Sequence, residues 1–296
     1  MANWLKPRLS KIGLGCVTFG REIDQAASFV MMDHALAHGI TFFDTASAYS
    51  AGASESTVGA WLASRRPRPE SRTIATKITK PYVAGEIEAR LDQSLLRLGL
   101  KQIELFYLHT WTDNAADPEI LGALDRVVRS GKVRSLGVSN FTAEQLEKVL
   151  KIQAERGWAR MEAVQNNHNF ALRMVDENLK ALCAREEVAI VAYSPLGAGF
   201  LSGKYRKEVP TGSRFDVIRG HQPLYFNDAG WARLGELEAA AARGGFNQVQ
   251  LAYAWVLDQP EIDSVLVGGR DPAQLDQALA AHALDPAKVA RAFSGG

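Results

Sequence analysis

Seven short apolar runs in this chain lead into residues that carry charge, move protons or hydrogen-bond a ligand. Thr41-Phe42-Phe43 is followed by Asp44, Ile74-Ala75-Thr76 by Lys77, and Phe106-Tyr107-Leu108 by His109. Leu136-Gly137-Val138 leads to Ser139 and Asn140, Ala163-Val164 to Gln165, and Ala192-Tyr193 to Ser194. Val265-Leu266-Val267 leads to Gly268, Gly269 and Arg270. One lysine or histidine in such a place is an ordinary surface or core residue. Gathered on one rim, these residues make a convergent polar pocket, with a carboxylate, an ammonium and an imidazole among hydroxyls and amides.

A common rim requires a particular arrangement of elements. Strands are predicted over Lys11–Gly15, Thr41–Asp44, Thr73–Lys77, Glu104–His109, Val133–Val138, Glu162–Gln165, Val188–Tyr193 and Ser264–Val267. Several are rich in Val, Ile and Phe without polar alternation, as in strands buried on both faces. Helices are predicted over Ile23–Ala37, Ser54–Ala63 with Ser54 as its cap, Ala84–Leu98 and Pro118–Arg129. Further helices are expected over Thr142–Ile152, Arg173–Arg185, Gln248–Leu257 and Pro272–Ala281. Strands alternating with helices imply a parallel sheet with right-handed crossovers. Eight such units point to a closed (β/α)₈ TIM barrel, an α/β fold in a single domain over residues 1–296. The pattern alone also admits an open doubly wound sheet. In a barrel, functional residues gather at the C-terminal strand ends, where the polar residues above fall. From Leu196 to about Asp228 no periodicity is evident, and this stretch is read as a long loop covering a ligand.

Composition narrows the function. The chain has 296 residues, 34 Lys plus Arg against 33 Asp plus Glu, and a net charge of +1, so it lacks the basic excess of a nucleic-acid binder. Its two cysteines, Cys16 and Cys183, offer neither a disulfide framework nor metal-ligand spacing and suit a reducing cytoplasm. No apolar run approaches the ~20 residues that span a bilayer, and the N-terminal segment has no secretory pattern. A cytoplasmic protein without metal, membrane or nucleic-acid partners is expected. Gly13-x-Gly15 lacks the third glycine of a dinucleotide-binding fingerprint and is read as the first strand and its turn. His34 and His38, four residues apart, are read as exposed helix histidines.

Taken in order, Phe43-Asp44-Thr45-Ala46-x-x-Tyr49, Ala75-Thr76-Lys77, Tyr107-Leu108-His109, Gly137-Val138-Ser139-Asn140 and Tyr193-Ser194-Pro195-Leu196-Gly197 resemble the aldo-keto reductase family. The resemblance runs from about Lys11 to Leu279. It implies a (β/α)₈ barrel that binds NADP(H) across its C-terminal rim and reduces aldehydes or ketones. It also implies a catalytic tetrad of Asp44, Tyr49, Lys77 and His109. The chemistry of that set is coherent. A free tyrosine, with a pKa of ~10, is too weak an acid at neutral pH. The Lys77 ammonium is expected to lower it, with Asp44 holding Lys77 charged. His109 would hydrogen-bond the carbonyl oxygen, and Tyr49 would be the general acid.

By the same resemblance, Ser139, Asn140 and Gln165 would bind the nicotinamide carboxamide, Tyr193 would stack on its ring, and Thr18 would touch its ribose. Ser194, Leu196, Gly199 and Leu201 would line the pyrophosphate, with Gly203 and Lys204 in the same loop and Gly268 on the neighbouring rim. Arg270 would meet the adenosine 2′-phosphate, which suits a planar guanidinium, and Gln274 would flank the adenine. Phe19 and Trp111 are expected to form an apolar wall for the substrate, a small carbonyl compound. The chain departs from the family at Gln277-Ala278, where Glu-Asn is common, and at His168, where a tyrosine is common. Loss of Glu-Asn is expected to weaken cofactor binding and soften the preference for NADPH. Two other readings of the same rim stay open. One is a cofactor-binding regulatory subunit with little turnover. The other is an aldolase using Lys77 as a Schiff base, which requires a neutral amine.

Overall fold

The computed structural model describes residues 3–68 and 71–294. Eight strands close into a parallel barrel in chain order: β1 Ile12–Gly15, β2 Phe42–Asp44, β3 Thr73–Ile78, β4 Ile103–Leu108, β5 Val133–Ser139, β6 Met161–Asn167, β7 Ala189–Tyr193 and β8 Ser264–Val267. β1 pairs with β8 through Ile12 and Val265, so no edge is left open. Helices α1 Gln25–Ala37, α2 Ala53–Arg65, α3 Ile87–Leu98, α4 Pro118–Arg129, α5 Ala143–Arg156 and α6 Glu177–Arg185 follow the first six strands. Two short helices come next, α7 Arg214–Val217 and α8 Gln222–Tyr225, and then α9 Asp228–Gly244, α10 Gln248–Leu257, α11 Pro272–His282 and α12 Pro286–Phe293. The open-sheet alternative is excluded by this closure. No helix among the described residues is long and apolar enough to cross a membrane.

The helix ends differ from expectation for local reasons. Asp24 caps α1 by accepting from the Ala27 amide, and Asp176 caps α6 by accepting from the Leu179 amide. These caps set both starts later than apolar spacing suggests. Ser54 is not a cap. Gly52 holds that position, and Ser54 is buried, donating to the Cys16 carbonyl at 2.8 Å and sharing a bond with Thr45 Oγ1 at 2.8 Å. Helices α9 and α12 were not anticipated. In α12 the signal is the same Asp-Pro start that opens α4.

The stretch from Leu196 to Asp228 is not structureless. Besides α7 and α8 it holds single helical turns at Phe200–Ser202 and Arg219–His221. Phe200, Tyr205, Phe215 and Tyr225 are buried in it, and their rings pack with Phe226 and Trp231. Aromatic residues at irregular spacing give no periodic signal, yet they fix the segment against α9.

Inside the barrel, large rings fill space that small residues leave. Phe42 lies opposite Gly13, where a Cβ would come within 2.7 Å of its ring. Tyr107 lies opposite Gly137, where a Cβ would come within 2.5 Å. Leu5 plugs the lower end, and Ala75, Ala163 and Ala189 line the wall. A second apolar layer lies between the barrel and the helices. The helices also touch closely: a Cβ on Gly59 of α2 would lie 2.2 Å from the Arg97 carbonyl oxygen of α3. Because that oxygen belongs to the backbone, Gly59→Ala is expected to destabilise the protein by ~2–3 kcal/mol, read as a lower urea midpoint. An unchanged midpoint would show that α2 and α3 slide apart freely.

Candidate active site

Asp44 ends β2, and Lys77 stands near the end of β3. Both are buried side chains facing inward, and they form an ion pair between Lys77 Nζ and Asp44 Oδ1. Lys77 Nζ also donates to the Thr45 carbonyl at 2.9 Å, and Gln165 Nε2 donates to Asp44 Oδ2 at 2.9 Å. Burial opposes the ammonium, but the Asp44 carboxylate and the Tyr49 phenol outweigh it and hold Lys77 above its ordinary pKa. Burial raises the Asp44 carboxyl, while Lys77 and Gln165 restrain that rise. Lys77 therefore stays charged, which works against a neutral Schiff-base amine.

Tyr49 sits in the loop after β2, and Lys77 Nζ lies 3.4 Å from its hydroxyl. Ser47 Oγ ties this loop to β3 by donating to the Lys77 carbonyl at 2.9 Å. After Tyr49 the chain turns through Ser50 (φ 50°) and Ala51 (φ 52°), two consecutive non-glycine residues in the left-handed region. Such residues cost of order 1–2 kcal/mol each and are typical of functional sites. The Tyr49 phenol lies above its ordinary pKa because burial outweighs Lys77. The ammonium does lower it, as expected, but burial makes the net shift upward, so the expected net fall is corrected. Tyr49 is therefore a neutral phenol, and Lys77 offsets part of the cost of its anion.

His109 packs edge-on to Tyr49, with centroids 5.7 Å apart. Burial and then the Lys77 charge lower its pKa to about 3, so its imidazole is neutral at physiological pH. Asn140 Nδ2 fixes the loop by donating to the His109 carbonyl at 3.0 Å. The four residues expected as a tetrad thus lie together at one end of the barrel.

The other expected site residues follow around the rim. Asn140 (φ 61°) and Ser194 (φ 56°) turn the chain sharply after β5 and β7. Asn140 is fully engaged: it also donates to Ser139 Oγ at 3.1 Å and accepts from Tyr193 Oη at 2.7 Å. Tyr193 and Leu196 are half-buried at this rim. Thr18 Oγ1 donates to the Gly269 carbonyl at 2.9 Å and joins the β1 and β8 loops. Gly199 (φ +89°) leaves room for Lys204, whose Nζ would lie 3.2 Å from a Cβ there. The side chain of Leu201 is wholly buried, and its carbonyl accepts from Gln248. Lys204, Gly268, Arg270 and Gln274 are exposed. Gln274 Oε1 accepts from the Arg270 amide at 2.9 Å, and Arg270 Nη2 donates to the Gly212 carbonyl at 3.2 Å. Of the two wall residues, Trp111 is half-buried and packs edge-on to Phe141 at 5.1 Å, whereas Phe19 has no exposed surface and belongs to the core. Ala278 is buried, and Gln277 accepts from Gln250 Nε2 at 3.2 Å.

Some features escaped the sequence. Arg214 of α7 donates to Glu22 of the β1 loop at 3.0 Å and lies near enough to Tyr49 to interact with it electrostatically. It lies in the aperiodic stretch, which offers no signal for it. The role of His168 is now physical: Nδ1 accepts from the Val175 amide at 3.2 Å, Nε2 meets Gln259 Oε1 at 3.1 Å, and the ring stacks on Trp255. Burial lowers its pKa to about 4. His34 pairs with Asp276 of α11 at 2.6 Å. Among the described residues, no group of three or more His, Cys, Asp or Glu is placed to hold a metal ion.

The sequence profile of the aldo/keto reductase family matches residues 11–292. The chain is 34% identical to the uncharacterized oxidoreductase YrpG of Bacillus subtilis over 93% of its own length and 87% of the relative. It is 31% identical to L-glyceraldehyde 3-phosphate reductase of Escherichia coli K12, over 81% and 74% of the two chains. It is 30% identical to the aldo-keto reductase yakc [NADP(+)] of Schizosaccharomyces pombe, over 84% and 76%.

The two neutral histidines couple stability to pH. In the unfolded chain they protonate near 6.5, whereas in the fold His109 does so near about 3 and His168 near about 4. Their contribution is complete above the unfolded value and is lost as pH falls below it toward the folded values. Urea midpoints of the wild type should therefore fall as pH drops from about 6.5 to about 4, and His168→Gln should flatten that slope. Equal slopes in the two proteins would contradict a neutral, buried His168.

Proposed function

The chain belongs to the aldo/keto reductase family, and on that premise we propose that it is an NADP(H)-dependent reductase of aldehydes or ketones with Tyr49 as proton donor. The observation that carries this reading is the position of Lys77 Nζ, bonded to Asp44 on one side and 3.4 Å from Tyr49 Oη on the other, with neutral His109 against Tyr49.

The rim has chemistry that fits the cofactor. Gln165 and Ser139 keep hydrogen-bonding capacity at the strand ends, Tyr193 offers a half-buried ring, and Lys204 and Arg270 are exposed cations, the charge that phosphates call for. The name of the yakc relative, which carries NADP(+), supports the same choice. Bound nicotinamide supplies the hydride for the carbonyl carbon. The chain's own residues handle the oxygen. Tyr49 Oη donates its proton to the developing alkoxide, and the neutral His109 ring donates a hydrogen bond to the same oxygen. Lys77 steadies the phenolate that remains, and Asp44 keeps Lys77 charged and in place. In alcohol oxidation the same phenolate is the base. Trp111 is the apolar wall beside the reacting group.

Two measurements test this. Tyr49→Phe should lower carbonyl reduction by a factor of about 10² or more while NADPH binding, read by fluorescence, stays near wild type. Near-normal turnover would refute Tyr49 as the acid. Arg270→Ala should weaken NADPH roughly tenfold, as for the loss of a charge-assisted hydrogen bond, and NADH much less. Equal losses with both cofactors would put Arg270 away from the 2′-phosphate.

A further inference from the structure

Inside the barrel, beside the ion pair, lies a phenol that proton donation by Tyr49 does not use. Tyr107 stands on β4 in register with Lys77, its ring centroid 5.8 Å from Lys77 Nζ. It is wholly buried, and its ring has room because residue 137 on the next strand is glycine. Tyr107 Oη has no hydrogen-bond partner of normal geometry, although burial raises its pKa and the Gln165 amide lies near enough to lower it in part. A phenylalanine would fill the same space without a buried orphan donor. Such a group calls for another state of the site that uses it.

Proton transfer creates that state. While Tyr49 is protonated, Lys77 holds Asp44 Oδ1 and Gln165 holds Oδ2 at 2.9 Å. Once Tyr49 has given up its proton, two anions compete for one ammonium. Lys77 is already within 3.4 Å of Tyr49 Oη, and closing on the phenolate loosens its hold on Asp44. A buried carboxylate then needs a further donor. The Cys16 thiol is a weak donor facing the Leu14 carbonyl at 3.6 Å, and Gln165 is already committed. The Tyr107 hydroxyl lies close enough to feel the Asp44 charge and the Gln165 amide.

We propose that Tyr107 is a positioning residue for proton transfer: its hydroxyl is idle while Tyr49 is protonated and donates to Asp44 when Lys77 turns to the Tyr49 phenolate. Its part in turnover rests on the reductase reading above, whereas the exchange of donors is a property of these side chains alone. The groups facing Tyr49 are Lys77, Asp44, Cys16, His109, Arg214 and Tyr193. Of these, the exchange changes only how Lys77 divides itself between Asp44 and Tyr49.

The test is a double-mutant cycle in urea at neutral pH, which needs no turnover. Lys77→Met removes the ammonium, and the cycle is repeated at rising pH so that Asp44, no longer restrained by Lys77, is read as a carboxylate as well as a neutral acid. Tyr107→Phe alone is expected to leave stability unchanged or raise it, yet to lower the folding constant about tenfold in the Lys77→Met background. Equal effects in both backgrounds at every pH overturn the exchange, as does a loss of stability from Tyr107→Phe alone. If Lys77→Met does not fold, the pH profile of NADP+-dependent alcohol oxidation decides. Tyr107→Phe should move the limb where Tyr49 loses its proton upward by about half a pH unit or more, with the KM for NADP+ unchanged. A profile that superposes on the wild type overturns the proposal. Coupling in the cycle from a protein that turns over no carbonyl or alcohol would support the exchange and count against the reductase reading.

Discussion

A carboxylate and an ammonium buried side by side must satisfy each other, because neither can reach water. Asp44 and Lys77 are in that position, and deleting either partner of such a pair typically costs about 3–5 kcal/mol. Replacing both by apolar groups would often stabilise a fold. A buried pair kept at the mouth of a barrel is therefore better explained by chemistry than by stability. The pair keeps a positive charge fixed beside a protonated phenol whose burial makes its anion expensive. On the proposed reductase reading, that charge is worth most at the moment the proton leaves.

The fold exists around this pair in a specific way. β2 and β3 are neighbours in the closed barrel, with Asp44 in register with Ala75, so Lys77 two residues further on meets Asp44 from the same side. Gln165 comes from the opposite wall and supplies the donor that Lys77 leaves to be found. The strained turn after Tyr49 and the Ser47 tether bring the phenol over the ammonium. The packing of Tyr107 against Gly137 and of Phe42 against Gly13 fills the barrel interior.

The barrel and the gathering of Asp44, Lys77 and His109 on one rim were legible because buried strands are short apolar runs, and the residue at the end of each run reaches the rim. Tyr49 lies in a loop and was picked out only by the family resemblance. Other features depend on tertiary partners and left no local trace. Ser54 has the type and place of a cap, yet a glycine two residues earlier took that role and freed its hydroxyl to bind Cys16 and Thr45. Phe19 adjoins the rim in sequence but points into the core. The segment after Leu196 is ordered by aromatic contacts at irregular spacing, so periodicity could not find them. Tyr107 sits in an apolar run like any core ring. Its idle hydroxyl becomes visible only when the register sets it beside Lys77.

The claim at the centre of this account is that Lys77, held charged by Asp44, makes Tyr49 an effective acid. The direct measurement is kcat for NADPH-dependent reduction of a reactive aldehyde by Lys77→Met, alongside its NADPH dissociation constant. The account predicts a fall in kcat by a factor of about 10² or more with cofactor affinity within a few-fold of wild type. Near-normal kcat, or a loss explained wholly by weaker NADPH binding, would contradict it.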